Sequence, residues 1–151
     1  MSVYSIPVGS VISDLSKFEH QHVLIVNIAD SCGFAPQLHD LDRLHQDPNI
    51  PCTVIAFPSN QFNQQLRQDE DMKQWCRVEQ KLSFPIESQI AVNGADTHEL
   101  FAYLKEKARG GLGQKRITWN YTKFLIYPNE TAIMRFSPQT SIAKIQAHIT
   151  R

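Results

Sequence analysis

Two short apolar runs, residues 22–29 (HVLIVNIA) and 52–57 (CTVIAF), constrain the fold more than any other feature of the chain. Neither alternates apolar with polar as a half-wet strand would, and both carry β-branched residues. Each therefore reads as a strand buried on both faces. Between them, residues 36–47 (PQLHDLDRLHQD) place Leu38, Leu41 and Leu44 at helical spacing, with Pro36 suited to a first turn and Pro48 just past the end. Strand, helix and strand in this order imply a crossover unit with parallel strands.

The remainder of the chain extends the pattern. Residues 69–82 (DEDMKQWCRVEQKL) open with three acids that suit a helix start, and they gather Met72, Trp75 and Cys76 on one side. Residues 84–92 (FPIESQIAV) predict a strand, and 98–108 (HELFAYLKEKA) a helix ended by Gly110 and Gly111. Residues 123–136 (KFLIYPNETAIMRF) predict a hairpin with Pro-Asn-Glu as its turn. The last amphipathic stretch predicts a helix capped by Thr140 or Ser141. The expected order is β-α-β-α-β-α-β-β-α, an α/β layered sheet in one domain over residues 1–151.

Charge and composition mainly exclude. Fifteen basic side chains balance fifteen acidic ones, so no overall field points to nucleic acid or a membrane surface. No apolar run approaches the roughly 20 residues that span a bilayer. The N-terminal residues lack the basic-then-apolar order of a signal peptide, so a cytoplasmic location is expected. Three cysteines without a C-x-x-C pair do not make a disulfide scaffold, and no Cys/His cluster has zinc-ligand spacing. No metal and no cofactor are expected. His20 with His22, and His39 with His45, read as solvated surface residues.

Cys32, in NIADSCGFA (residues 27–35), follows the first strand where the chain turns toward a helix. Backbone N–H groups at a helix start favour an anion, and hence a thiolate. A small buried core residue explains the position equally well. Two further stretches bear on the choice. FPSNQFNQQ (residues 57–65) follows the second strand, and in parallel sheets the segments after strand C-termini converge where sites form. ITWNYTKF (residues 117–124) puts Trp119 and Asn120 at the start of the hairpin. Taken singly, these read as a solvated loop, a core tryptophan and a turn asparagine.

Taken together, NIADSCG, FPSNQFNQQ and TWNYTKFLI resemble the glutathione peroxidase family, whose segments read Asn-Val-Ala-Ser-x-Cys-Gly, Phe-Pro-Cys-Asn-Gln-Phe-Gly-x-Gln and Lys-Trp-Asn-Phe-x-Lys-Phe-Leu. Residues 92–94 (VNG), His98 and residues 111–113 (GLG) fall in the family's order. The resemblance implies a thioredoxin-like fold, a central mixed sheet flanked by helices, and reduction of hydroperoxides. It makes Cys32 the peroxidatic cysteine, with Gln65, Trp119 and Asn120 completing the catalytic set. The chemistry suits these residue types. A thiolate attacks one peroxide oxygen while the other leaves and needs a proton. Amide and indole N–H groups meet that developing charge without locking the thiolate in an ion pair.

The resemblance also implies a resolving role for Cys76, as in non-selenium members with a cysteine on that helix, which usually take electrons from thioredoxin. Thioredoxin or glutathione is the expected external reductant, and Cys52 reads as structural. Several positions depart from the pattern. Ser59 replaces a cysteine, Asn63 a glycine, and Leu66-Arg67 stand where Glu-Pro-Gly is usual. Asp30 replaces a small residue two before Cys32, where its charge is expected to oppose a thiolate. The long insertion of the tetrameric glutathione-using members is missing, which predicts a monomer or small oligomer. Two other readings use the same thiol: a peroxide sensor that signals through Cys32 without turnover, and a thiol–disulfide oxidoreductase. Ala35, three after Cys32, weakens the second by removing the C-x-x-C pair.

Overall fold

The computed structural model describes residues 1–150. Strand β1 (His22–Ile28) pairs in parallel with β2 (Cys52–Pro58), in register from His22–Cys52 to Ile28–Pro58. Helix α1 (Gln37–Gln46) makes the crossover between them. Strand β3 (Lys123–Ile126) lies antiparallel on the other edge of β1, and β4 (Ile133–Phe136) pairs antiparallel with β3. The sheet order is therefore β2-β1-β3-β4, a mixed sheet. Helices α2 (Asp69–Gln74), α3 (Glu99–Lys107) and α4 (Ile142–Ile149) complete the frame.

Strand alternation sorts the core into two layers. Leu24, Val26, Ile28, Val54, Ala56 and Leu125 face one side, where they meet the three α1 leucines, Met72, Cys76 and the α4 residues Ile142 and Ile145. Val23, Ile25, Ile55, Phe57, Phe124 and Ile126 face the other, against Leu100, Phe101 and Leu104 of α3 and an N-terminal segment carrying Val3, Ile6 and Ile12. Helices on both faces explain why β1 and β2 read as continuous apolar runs: neither face is wet. Each fully buried leucine contributes about 1.5–3 kcal/mol of burial.

Ser141 caps α4, its Oγ accepting from Lys144 N at 3.2 Å. The hairpin turns over Pro128–Glu130, with Asn129 at φ 57°. Three expectations need correction. Residues 84–92 form no strand of the sheet; they make two isolated bridges, Ala91–Thr97 and Ala56–Ile86, the latter through Ala56 N–H to Pro85 O (3.0 Å) and Glu87 N–H to Ala56 O (2.9 Å). Pro85 has no N–H to extend a ladder, and the buried Glu87 carboxylate instead accepts from Val11 and Ile12 N–H. The helix expected over 69–82 ends as α after Gln74 and continues as one π-helical turn, Trp75–Glu79, before Lys81 turns left-handed at φ 56°. Finally, His22 and His45 are not solvated. The His22 ring packs edge-on against Tyr127, and His45 Nδ1 accepts from Val54 N–H at 3.1 Å. Burial pushes both imidazoles below the usual histidine range.

Candidate active site

Parallel pairing brings the segments that follow β1 and β2 to the same end of the sheet. Cys32 sits there, buried, in the turn between β1 and α1. The N–H reaching its Sγ is that of Phe34, at 3.5 Å, in a run of turns that precedes the helix rather than in the helix itself. Pro36, its φ of −55° already helical, stands as the cap and the helix runs from Gln37. The expected helix-terminal thiol is therefore a turn thiol, served by one turn amide.

The segment after β2 crosses beside it. Ser31 N–H donates to Gln64 O at 2.9 Å, which ties this segment to the residue next to Cys32. Gln64 Oε1 in turn accepts from Asn120 Nδ2 at 3.4 Å. Asn63, just before, holds φ 59°, a left-handed turn that asparagine tolerates where the family pattern has glycine. Gln61 anchors the loop from the other side: its Oε1 accepts from Val92 and Asn93 N–H, and its Nε2 donates to Asn93 O. Asn93 then brackets Ile117, donating to its carbonyl at 2.7 Å and accepting its N–H at 2.9 Å. The VNG stretch is thus the strut that carries the chain into Trp119 and Asn120.

Asn27, in β1, holds the Trp-Asn turn directly. Its side-chain N–H donates to Trp119 O at 3.3 Å, and its own carbonyl accepts from Tyr121 N at 2.6 Å. Thr122 Oγ1 also donates to Trp119 O. Asn120 is fully buried, and its Oδ1 and that of Asn27 lack a hydrogen-bond partner among the described residues. Trp119 is 36% exposed, its ring tilted on Phe62 at 5.5 Å between centroids. It rims the site instead of filling the core.

Gln65 points elsewhere. Only 4% exposed, it accepts the Asp30 N–H at 2.9 Å and donates to Arg67 O at 2.8 Å, so its amide braces backbone on both sides. Gln64, which reading the sequence did not single out, is the glutamine whose side chain meets Asn120. Its signal was the Gln-Gln doublet, which offers two amides on opposite sides of an extended segment.

Asp30 does not stand as a bare charge. Its carboxylate accepts from Leu66 N–H, Arg67 N–H and Ser31 Oγ, and pairs with Arg67 Nη1 at 2.9 Å. Burial alone would raise its pKa, but these bonds outweigh it and hold the carboxyl below the usual aspartate range. Two departures from the family pattern, Asp30 and Arg67, are therefore partners. Arg67 also lies over the Trp75 ring, 4.7 Å from its centroid.

Cys76 is fully buried on the π-helical turn, in the same apolar layer as Cys32 and Tyr121. All three cysteines are free thiols. Burial pushes the Cys76 thiol up to about 12, and does the same to Cys52 at the start of β2. Among the described residues no group of three or more metal-ligating side chains comes together.

The family model for glutathione peroxidase matches residues 3–105 of this chain. The glutathione peroxidase homolog BsaA of Bacillus subtilis is 35% identical over 100% of the chain and 98% of its own length. The chain belongs to the glutathione peroxidase family. Its enzyme class, a peroxidase among the oxidoreductases, goes with that membership. The glutathione peroxidase-like peroxiredoxin 2 of Saccharomyces cerevisiae is 38% identical over 84% of the chain and 80% of its own length. Among solved structures, the apo crystal structure of Trgpx superposes with a TM-score of 0.79 at 34% identity, covering 99% of this chain and 94% of that one. The T. cruzi GPX1 crystal structure gives 0.76 at 30% identity, covering 99% and 95%. A thioredoxin-family thiol:disulfide interchange protein from Chlorobium tepidum, 14% identical with a TM-score of 0.64, shares the fold alone, over 99% of this chain and 94% of its own. The thioredoxin-like sheet flanked by helices is the fold of this glutathione peroxidase family member, and no helix of the described residues is long and apolar enough to cross a membrane.

Proposed function

We propose that the chain reduces hydrogen peroxide and organic hydroperoxides with Cys32 as the nucleophile, Cys76 as the resolving thiol, and thioredoxin or glutathione as the external reductant. One observation carries the reading: a hydrogen-bond chain runs from Ser31, next to Cys32, through Gln64 to the buried amide of Asn120. Three segments distant in sequence are thereby tied together beside the turn that carries Cys32, whose Sγ takes the Phe34 N–H at 3.5 Å. In the first step the Cys32 thiolate attacks the terminal peroxide oxygen and the O–O bond breaks. Cys32 becomes a sulfenic acid, and the other oxygen leaves as an alcohol or water after taking a proton. Asn120 Nδ2 and the Trp119 indole N–H, at the rim, are the donors suited to the charge on the leaving oxygen. Gln65 keeps the Asp30 turn in place behind them. In the second step Cys76 attacks the sulfenic sulfur, a Cys32–Cys76 disulfide forms and water leaves. A dithiol or two thiols then restore both cysteines.

A peroxide-defence enzyme acting in the cytoplasm as a monomer or small oligomer fits this chemistry. The test is a coupled assay with one hydroperoxide, supplying thioredoxin and glutathione in turn. Sustained turnover with either supports the peroxidase. A single stoichiometric oxidation with both would instead mark a sensor.

A further inference from the structure

Arg67 and Asp30 are each unusual for the family, and each is the other's partner. Their ion pair (2.9 Å) joins the turn that carries Cys32 to the segment before α2. The Asp30 side chain is fully buried and accepts four hydrogen bonds, two of them from the backbone of residues 66 and 67. Gln65 closes the same knot from behind, bridging Asp30 N–H and Arg67 O. On its far side the Arg67 guanidinium covers the indole of Trp75. Trp75 is the first residue of the π-helical turn, and Cys76 is the second. The ion pair therefore lies on the path between the two cysteines. Its closeness shows in the Cys76 thiol, which feels burial first, then Arg77, Asp30 and Arg67 in turn.

A π-helical turn is a rare backbone form, often found where a helix must rearrange. Here it holds the one thiol that must leave its apolar layer to act. Buried as it is, Cys76 is almost entirely protonated near neutral pH, so attack on a sulfenic acid requires the turn to open first.

We propose that Arg67 is a positioning residue for the resolving step: clasped to Asp30 and stacked on Trp75, it holds the Cys76 turn closed and sets the rate at which it opens. The inference rests on the resolving role proposed above for Cys76. The reaction gated is Cys32 sulfenic acid plus Cys76 thiol giving disulfide plus water, with no further oxidant or reductant. Arg67→Ala removes the charge and the stack but keeps the backbone N–H and C=O that Asp30 and Gln65 use. Arg67→Lys keeps charge while losing the planar fork and most of the stack.

Two measurements test it. Rapid-quench mass spectrometry after one equivalent of hydrogen peroxide should show the sulfenic acid forming no faster in Arg67→Ala than in wild type, because Asp30 loses its counter-charge two residues from Cys32. The Cys32–Cys76 disulfide should then appear about ten-fold faster, the scale of one lost ion pair with its cation–π contact. Arg67→Lys should fall between. An unchanged or slower disulfide step in Arg67→Ala overturns the proposal. The second measurement isolates opening from peroxide chemistry: in a Cys32→Ser background, iodoacetamide should label Cys76 faster when Arg67 is alanine. Unchanged labelling overturns the clasp whatever happens with peroxide. Faster labelling with no disulfide in any variant upholds the clasp and overturns only the resolving role of Cys76.

Discussion

Asn120 reaches across the site to Gln64, not to the adjacent Gln65, with its Nδ2 at 3.4 Å from the Gln64 Oε1. The two glutamines face opposite ways, one toward the Trp-Asn turn and one into the backbone of the Asp30 turn. Alanine substitutions should therefore separate them. Gln64→Ala and Asn120→Ala should each slow the peroxide step on the order of ten-fold, as loss of an oxyanion donor does. Because they are bonded, the double mutant should be less impaired than the product of the singles. Stopped-flow kinetics decides this; fully multiplicative effects would separate Gln64 from Asn120.

Gln65→Ala should act through stability as well as rate. It strands a buried N–H of Asp30 and the carbonyl of Arg67, a cost of about 1–3 kcal/mol. A urea midpoint unchanged from wild type would contradict the bracing role.

Cys32→Ser should abolish peroxide consumption and leave the fold in place. A hydroxyl fits the same turn but is a far weaker nucleophile at neutral pH. Circular dichroism and the thermal midpoint check the fold, and residual turnover would remove Cys32 from the chemistry.

Alkaline pH should weaken the reduced protein in a defined window. Cys52 and Cys76 titrate near 12 in the folded chain against 9.0 for an ordinary thiol. Between those values the unfolded chain has lost protons that the folded chain keeps. Stability is thus complete below pH 9 and should fall as pH rises, by about 1.4 kcal/mol per pH unit for each thiol. Cys52→Ala should lose stability outright from its cavity yet show a shallower alkaline slope. An identical slope would mean that Cys52 does not titrate this way.

Lys123, fully buried in β3, donates from Nζ to the carbonyls of Ser137, Pro138 and Thr140 ahead of α4. Lys123→Met leaves those carbonyls without their donor and should cost about 2–4 kcal/mol in denaturant unfolding. Burial pushes this ammonium down to about 8 from 10.5, so the folded chain releases the proton first. Relative to Lys123→Met, wild-type stability should rise as pH goes from 8 toward 10.5.

Much of this architecture was legible in the chain because one local signal sufficed. The leucines of α1 and the unbroken runs of β1 and β2 declare their burial by spacing alone. Residues 84–92 misled because apolar content says nothing about where hydrogen bonds go, and Glu87 spends its carboxylate on the N-terminal segment. His22 looked like a surface residue beside His20, yet its place at the start of β1 brings it against Tyr127 from the hairpin. The facing of Gln64 and Gln65 depends on Asn63, whose left-handed φ resets the alternation counted from β2. The Asp30–Arg67 pair spans 37 positions, and only the parallel pairing of β1 and β2 brings those loops together.

Burying Cys52 and Cys76 also decides what happens to the protein between encounters with peroxide. Thiols trade partners with disulfides only as thiolates. A sulfur held near 12 is in that form in on the order of one molecule in 10⁵ at neutral pH. Neither sulfur drifts into mixed disulfides with oxidised small thiols, and neither staples one chain to the next when molecules crowd. In the proposed cycle, Cys76 would thus stay in reserve, unspent until Cys32 has been oxidised.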